Sequence, residues 1–493
     1  MGSETDGFAS VRKRMDDGTL SQYLYSKSLA QGQTCKYKKP GGQKFPQQLL
    51  SKHPLSVESL PAEILVKIFS YLDVASLLCA GCVSKRFSLI ASDNVLWCKI
   101  FACRGLVKRT WKSSAVDKHA ESLAQISVQD KPLGYWKKEC LRTWTSSGKA
   151  GVGQMLRSIN KFTGLPRRTA EALKSLGVHW IVVLKDKSGK EFVVEPTGVH
   201  FHDTSVTVSW TAAFWPNLSS LTALQIHGVT WVHLDPSSKV PKKNWPRRRS
   251  LVTEYDLTNL KAVSVPIASD KLIQLSCLTP GLLMALWKEG VGITFVMACL
   301  HYYHLLERST LGSATSQYQL PPHQPLLDDI DPDCGLHGYY LHIELHNNEE
   351  SFMSGGFRNL FCKRDYIQNG YLRLTAISYK KTSEHTAFSG RVGLSWKTDG
   401  FEGKVQNCCL MDVTVLDDEE KPFWCVSTPV SLRPSANSSV CYDYTGQSLN
   451  LHYCDAEGKI HMVLEWEADQ YYLTNLVLYL STDKVNNWFG TNY

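Results

Sequence analysis

The sequence contains no long uninterrupted apolar run and no recognisable leader. Its most apolar stretch, GLLMALWKEGVGITFVMACLHYY at 281–303, is broken by Lys288 and Glu289. A membrane-spanning helix needs about 20 continuous apolar residues, so we expect no membrane insertion. The opening residues MGSETDGFASVRKRMDDG lack the apolar core of a secretory signal. Asp6 also stands where a myristoylation signal carries serine or threonine.

The cysteines are neither dense nor grouped. There are 15 of them, an odd number scattered over 493 residues, unlike the disulfide frameworks of small secreted domains. We expect most of them to be reduced, in cytosol or nucleus. The CxxC formed by Cys79 and Cys82 has no second pair that would complete a zinc site, and we predict both to be small buried hydrophobes. Cys408 and Cys409 would point to opposite faces of a strand.

Motifs of nucleotide binding and nucleophilic catalysis are also missing. The segment GVGQML at 151–156 carries Leu156 where a dinucleotide-binding loop needs its third glycine, and SGKA at 147–150 lacks the flanking residues of a P-loop. No Ser/His/Asp or Cys/His arrangement stands out. No period of 20–50 residues repeats, which argues against propellers and solenoids. We therefore expect neither a cofactor nor catalytic activity.

Positive charge is modest overall and concentrated in one place. The formal net charge of +8 does not by itself indicate nucleic-acid binding. The segment KVPKKNWPRRR at 239–249 fits a nuclear import signal, a contact with an acidic partner or nucleic acid, or a solvated loop. The loop is the favoured interpretation. We expect a cytoplasmic protein, with the nucleus as the alternative if this segment is an import signal.

The length of 493 residues predicts about three domains of ordinary size, and composition divides the chain into six parts. Residues 1–54 are polar and basic, with too little apolar surface to fold. Residues 55–104 show four short helical patterns, and 105–177 are also mainly helical. Strand signals dominate 178–318 and 336–493, and a segment rich in Pro and Asp at 319–335 separates these two regions.

The first helical pattern carries more apolar surface than one core needs. In SLPAEILVKIFSYL at 59–72, we take Pro61 as the first helical residue. Its large apolar side chains then spread over roughly 140°, or about 160° with Tyr71, whereas a core-facing helix usually needs about 100°. A unit of about fifty residues has a small core and often relies on partners. We predict that part of this helix is an interface. Asp73 and Asp93 are predicted to cap the later helices.

These helices resemble the F-box. The marks are the Leu60–Pro61 opening, the Glu–Ile–Leu and Ile–Phe pairs, Tyr71–Leu72, VSKRF at 83–87 and the late Asp–Asn…Leu–Trp at 93–97. SVQDKPLGYWKKE at 127–139, ERSTLGSAT at 307–315, GLSWKTD at 393–399 and NWFGTNY at 487–493 extend the resemblance to F-box-only proteins over nearly the whole chain.

The resemblance implies a docking surface for the small adaptor of SCF-type ubiquitin ligases, the S-phase kinase-associated protein. The residues implied to face the adaptor are Leu60, Pro61, Ile64, Leu65, Ile68, Phe69 and Leu72. Leu77, Val83 and Trp97 would join them or hold the helices in place. A cullin would then be recruited through the adaptor.

The expected fold class is α+β and multidomain, with a helical F-box, a helical connector and a β-rich remainder. HWIVVLKDKSGKEFVVE at 179–195 predicts a hairpin around Ser188–Gly189. From Gly338 onward apolar and polar residues alternate in many short runs separated by polar turns. This spacing predicts an antiparallel sandwich or barrel.

Two histidine groups could suggest metal binding. His301, His304 and Glu307 have helical spacing, but the strand pattern before them would separate His301 from His304. His342, Glu344 and His346 share one face of a predicted strand. Neither group shows a third convergent ligand of the kind a metal site needs, so we expect no metal at either place.

Together these observations predict a non-enzymatic substrate-recognition subunit of an SCF-type E3 ubiquitin ligase. The resemblance implies that it docks on the adaptor through the F-box, and an unknown target protein would bind the β-rich region. The alternative is an F-box scaffold with a ligand- or glycan-binding β domain that does not direct degradation. Trp215 and Trp245 are the candidates for exposed aromatic contacts in that case.

Overall fold

The computed structural model describes residue 57 and residues 60–107, 131–146, 150–232, 245–290, 292–325, 336–435, 444, 446–467 and 469–493. The predicted tail at 1–54 and parts of the basic segment and of the linker lie outside these residues. Pro61–Tyr493 form one compact unit. No helix in the described ranges has the length and apolar character needed to cross a membrane.

Four short helices follow one another at the start of the compact unit: α1 (Ala62–Phe69), α2 (Val74–Ala80), α3 (Lys85–Ile90) and α4 (Asn94–Val107). The predicted caps are confirmed. Asp73 Oδ1 accepts a hydrogen bond from the Ser76 amide at 2.8 Å, and Asp93 Oδ1 accepts one from the Val95 amide at 2.8 Å. Pro61 differs from the prediction, since it lies one residue before α1 as its N-cap, with an extended ψ of 149°.

Three more helices connect this region to the β-rich part: α5 (Tyr135–Ser146), α6 (Ala150–Met155) and α7 (Thr169–Ser175). The buried Asn94 side chain ties α4 to the start of α5. Its Nδ2 donates to the carbonyls of Lys131 and Pro132, both at 3.0 Å, and its Oδ1 accepts from the Trp136 amide. The helical region therefore continues into the connector through buried hydrogen bonds.

The middle region is a sandwich of two antiparallel sheets. Its strands are β1 (His179–Asp186), β2 (Glu191–Val194), β3 (Gly198–Phe201), β4 (Ser205–Thr211), β5 (Leu221–Trp231), β6 (Arg247–Asp256), β7 (Val265–Ser269), β8 (Ile273–Leu278), β9 (Leu282–Trp287) and β10 (Ile293–His301). One sheet has the order β2-β1-β5-β6 and the other β3-β4-β10-β9-β8-β7. The predicted hairpin is the β1–β2 pair. A shared core of large aliphatic and aromatic side chains fills the space between the sheets.

Two helices and a short 3-10 turn accompany the sandwich: α8 (Leu260–Val263), α9 (Leu305–Leu311) and Leu218–Ser220. α9 lies very close to β5 because Gly228 has no side chain. A Cβ atom at position 228 would lie 2.6 Å from the Ser309 Cα. Trp180 Nε1 donates to Ser309 Oγ at 3.1 Å. These contacts hold α9 in a fixed position.

The C-terminal region is a nearly closed, barrel-like antiparallel sheet, as the alternation predicts. Its main strands follow the order β12-β11-β17-β18-β19-β20-β21-β13, and the end strands β12 and β13 approach each other. The elements are β11 (Leu336–His346), β12 (Ser351–Cys362), β13 (Tyr371–Ile377), β14 (Thr386–Phe388), β15 (Gly393–Lys397), β16 (Glu402–Gln406), β17 (Cys408–Leu416), β18 (Pro422–Pro434), β19 (Ser448–Cys454), β20 (Gly458–Glu467), β21 (Gln470–Ser481), α10 (Thr482–Phe489) and 3-10 turns at Arg364–Tyr366 and Thr382–Glu384.

The two β regions share buried surface. β17 is buried on both sides, and its first two residues face different cores. Cys408 packs with Leu283 and Phe295 of the sandwich, whereas Cys409 packs inside the barrel with Met411. The prediction that these cysteines lie on opposite faces is confirmed. The division of the β regions into separate domains at 319–335 stays a prediction.

Candidate functional site

Helix α1 carries two apolar rows that have different environments. Residues four apart share one side of a helix. Leu65 and Phe69 form the inner row, with relative exposures of 0% and 4%, whereas Ile64 and Ile68 form the outer row, with exposures of 49% and 42%. The wide apolar arc is therefore half covered by the protein's own helices, and the other half faces outward.

The inner row is locked by packing within the helical region. The Phe69 and Phe87 rings meet edge to face with centroids 5.3 Å apart. Leu77 and Trp97 are fully buried, and Trp97 Nε1 donates to the Ala91 carbonyl at 2.6 Å. These side chains hold the helices together and are not available to a partner.

The remaining residues implied to contact the adaptor are exposed or half-buried. Pro61 is exposed and Val83 is 68% exposed, while Leu60 and Leu72 are half-buried. Tyr71, which belongs to the predicted arc but not to the implied contact set, is 78% exposed. We name Pro61, Ile64, Ile68 and Tyr71 the α1 face.

The α1 face is apolar with a basic edge. Lys67 lies on the same helix, and its Nζ is 5.6 Å from the centroid of the Tyr71 ring, within the range of a cation–π contact. Several large apolar side chains exposed on one short helix are typical of a protein-binding surface. Chemically, such a surface can bury apolar area against a partner, but it provides no group for catalysis.

The prediction for the CxxC cysteines is wrong. Cys79 and Cys82 are both exposed, because Cys79 lies on the outer side of α2 and Cys82 follows its end. Cys82 Sγ donates to the Leu78 carbonyl at 3.4 Å. Across the described residues, no group of three His, Cys, Asp or Glu side chains is placed to hold a metal ion.

The aromatic candidates for a glycan contact are not exposed at loop tips. Trp245 is 7% exposed, and Trp215 is half-buried with its Nε1 donating to the Thr294 carbonyl at 3.2 Å.

The described end of the basic segment, residues 245–249, corrects the prediction that the segment is a loop. Arg247 and Arg249 lie in β6 and pair with Glu195 and Glu191 on and beside β2. The backbone pairing of β6 with β5 therefore orders this end of the segment, and the ion pairs lie on its exposed surface.

The first predicted histidine group separates as the strand pattern indicates, and the second shares one strand face. His301 is the last residue of β10, whereas His304 precedes α9 in a left-handed conformation with φ of 56°. His342, Glu344 and His346 are buried on one face of β11. The neighbouring strand β17 presents a buried carboxylate to these residues, and no local sequence signal indicates it because the two strands are distant in the chain.

That carboxylate, Asp412, is the centre of a polar network. His346 Nε2 lies 3.2 Å from Asp412 Oδ2, and Ser205 Oγ donates to the same oxygen at 2.5 Å. Burial raises the pKa of Asp412, but the hydrogen bond and charge of His346 and the bond from Ser205 outweigh it and lower that pKa to about 2. Burial lowers the pKa of His346, but Asp412 outweighs this and raises it. The network is a buried ion pair.

The order of these groups differs from that of a hydrolase triad. In a triad the histidine lies between the serine and the carboxylate. Here the carboxylate lies between them, and His346 Nδ1 bonds to the Asn347 carbonyl. All three side chains are buried. The geometry supports a structural link between β4, β11 and β17.

Other buried histidines make the fold acid-sensitive. Burial lowers the pKa of His202, His227 and His301 to about 4. Their folded pKa values lie below the unfolded value of about 6.5, so their contribution is complete above pH 6.5 and is lost as pH falls towards 4. His346 acts in the opposite sense. Each of the three loses about 1.8 kcal/mol between pH 7 and pH 5 and His346 returns part of it, so we expect the free energy of unfolding to be about 4 to 5 kcal/mol lower at pH 5 than at pH 7, measured by urea denaturation.

A substitution of His301 tests whether the buried histidines cause this pH dependence. Its Nδ1 accepts the Tyr303 amide at 3.1 Å, so that nitrogen cannot take up a proton without breaking the bond, and Nε2 lies 3.0 Å from Thr414 Oγ1. His301→Gln should reduce the difference between pH 7 and pH 5 by about a third. Equal stability at both pH values in the unmodified chain would contradict the prediction.

A cavity of about 660 Å³ lies where the two β regions meet. One side is formed by β6, the end of β10 and α9, and the other by β18, the turn between β19 and β20, and α10. Leu320, Pro321 and His323 of the predicted linker also line it, and the His323 ring stacks on Trp488 at 3.7 Å. Its walls come from distant segments, so no local sequence signal could have indicated it.

Comparisons with known proteins agree with the helical site. A family model described as F-box-like matches residues 57–103. The chain is 49% identical over 440 residues to F-box only protein 15 of Homo sapiens, covering 89% of this chain and 86% of that protein. It is 49% identical over 437 residues to the Macaca fascicularis protein of the same name and 40% identical over 438 residues to that of Mus musculus, covering all of each relative and 88% and 87% of this chain.

Proposed function

This chain belongs to the F-box only protein 15 family, and on that premise we propose that it is the substrate-recognition subunit of an SCF-type ubiquitin ligase. The F-box docks on the S-phase kinase-associated adaptor, and a cullin joins through that adaptor. The β-rich region presents a target protein for ubiquitination. The chain itself contributes binding and positioning and no catalytic group.

The outer row of α1 is the observation that supports this proposal best. Ile64 and Ile68 expose large aliphatic side chains while their neighbours Leu65 and Phe69 are buried. A helix that needed only its own core would not carry both rows. In the proposed complex the adaptor covers the α1 face and Val83, and the inner row, Leu77 and Trp97 keep the helices in position beneath it.

Tethering explains how a non-catalytic subunit accelerates a reaction. A target held on the same complex as the charged ubiquitin-conjugating enzyme meets it at an effective concentration of roughly millimolar, and a fixed orientation adds further rate. The rigid β strands supply that orientation, and their loops and cavities are suited to bind the target.

Co-purification from cells tests the proposal. The tagged full chain should recover both the adaptor and a cullin. Ubiquitinated forms of target proteins that appear only with the full chain should be absent from cells that express a chain lacking residues 57–103. Recovery of the adaptor without a cullin would contradict the ligase function and favour the scaffold alternative. A chain that recovers neither would contradict both.

A further inference from the structure

The cavity between the β regions contains four side chains that are charged at neutral pH: Arg308, Asp455, Glu457 and Lys484. Three of them are satisfied within the protein. Asp455 Oδ2 accepts hydrogen bonds from two aromatic side chains at 3.2 and 3.1 Å, and its Oδ1 accepts two backbone amides. Lys484 Nζ pairs with Glu457 Oε1 at 3.1 Å. Asp455 keeps its negative charge but its oxygens are fully hydrogen-bonded, and Lys484 and Glu457 neutralise each other, so none of these three groups offers a cation to a ligand.

Arg308 is different. It lies on α9, which the close contact at Gly228 holds against β5. Among the residues that the structure describes, no oxygen accepts a hydrogen bond from its guanidinium and no carboxylate forms an ion pair with it. The preceding Glu307 acts on it only at longer range. Burial lowers the pKa of Arg308, which reflects a cation removed from water without a close counter-charge.

An arginine in this setting selects for oxyanions. Its planar fork of N–H groups matches carboxylate and phosphate groups with two parallel hydrogen bonds. Tyr303, Phe423 and Trp488 place aromatic rings on the walls of the same cavity. The volume lies in the range of pockets that enclose drug-sized ligands, which corresponds to about two or three peptide residues. Charge and shape together fit a peptide end or side chain that combines an anion with an apolar group.

We propose that this cavity binds the target protein. The target contributes a peptide segment that places a carboxylate or phosphate on Arg308 and an aromatic or large apolar side chain against the rings. This proposal rests on the proposed function, since it names the substrate class that the ligase subunit recognises. The cavity and the α1 face share no residue, so the two can be tested separately.

Two matched probes test it directly. N-acetyltryptophan carries a carboxylate beside an indole ring, and N-acetyltryptophanamide has the same ring without the charge. Calorimetric titration into the purified full chain should give a Kd on the order of 0.1 mM for the acid, as expected for a ligand of this size. The amide should bind at least about tenfold more weakly, because it cannot form the charge-assisted pair.

Substitutions assign the effect to Arg308. Arg308→Gln should weaken binding of the acid by about 10- to 100-fold and abolish the difference between the two probes. Arg391→Gln is the matched control, since Arg391 is exposed and lies outside the cavity. A third probe, N-acetyl-O-phosphotyrosinamide, distinguishes the two oxyanions. Tighter binding than that of the acid assigns the cavity to a phosphorylated segment, and weaker binding assigns it to a carboxylate.

The outcomes separate this inference from the proposed function. Equal binding of acid and amide, undiminished binding to the Arg308→Gln chain, or no binding of any probe at roughly millimolar concentration would overturn it. Adaptor capture by the Arg308→Gln chain should equal that of the unmodified chain. If the unmodified chain fails to capture the adaptor, the proposed function fails, while the probe results still decide the chemistry of the cavity.

Discussion

A chain with Ile64→Glu and Ile68→Glu should bind the S-phase kinase-associated adaptor at least about 100-fold more weakly than the unmodified chain. Both side chains are about half exposed in the free protein, so the change leaves the inner row of α1 intact. In the complex, two carboxylates would be buried without partners, each at a cost of about 1–3 kcal/mol. Since 1.4 kcal/mol corresponds to tenfold in affinity, the two together account for the expected loss. Biolayer interferometry with purified adaptor measures it.

The matched control has the same chemistry elsewhere on the surface. Val193 and Val265 are 41% and 60% exposed and lie on β2 and β7. A chain with Val193→Glu and Val265→Glu should bind the adaptor normally. Adaptor binding that survives the Ile64 and Ile68 substitutions, in a chain with an unchanged melting temperature, would exclude the α1 face as the docking surface.

A change in the inner row should behave differently. Leu65 has no exposed surface, so Leu65→Ala leaves a cavity and should cost about 2–5 kcal/mol of folding free energy. The melting temperature of this chain should fall, whereas that of the Ile64 and Ile68 variant should not. This contrast separates loss of docking from loss of the fold.

The helical region could be predicted from sequence because its signals are local. Asp73 and Asp93 cap the helices that immediately follow them, and hydrophobic spacing identifies α1. Sequence could not divide the apolar arc, since Ile64 and Leu65 are chemically alike and only the packing of α2, α3 and α4 decides which one is buried. The exposed Cys79 shows the same limit, because its apolar character suggested burial that the neighbouring helices do not provide.

Alternation predicts the C-terminal β region as antiparallel and the middle region only as β-rich, and the functional features of both depend on long-range pairing. Ser205 and Asp412 are 207 residues apart in the chain and share a hydrogen bond. In the sequence, Arg308 is only one residue of the segment at 307–315 that resembles the family. The cavity that it lines is completed by strands more than a hundred residues later. Alternation predicts that strands exist, but it does not predict which strands become neighbours.

The Asp412 network should be among the most costly places to alter in this fold. Asp412→Ala removes the carboxylate that joins β17 to β11 and, through Ser205, to β4 of the sandwich. His346 and Ser205 would then keep buried polar atoms without their partner. Removing one member of a buried ion pair costs about 3–5 kcal/mol, so the free energy of unfolding should fall by that amount in urea denaturation at pH 6.

A double-mutant cycle tests whether this loss comes from the pair itself. Asp412→Ala combined with His346→Leu should cost less than the sum of the two single changes by about 1–3 kcal/mol, because the second substitution removes a group that the first left unpaired. His461→Leu on β20 is the control. His461 stacks on His452, and its effect should add to that of Asp412→Ala. Additivity in both cycles would show that His346 and Asp412 are not coupled. Since the pKa of His346 is raised, its contribution is lost as pH rises through that value, and the coupling should shrink over the same rise in pH.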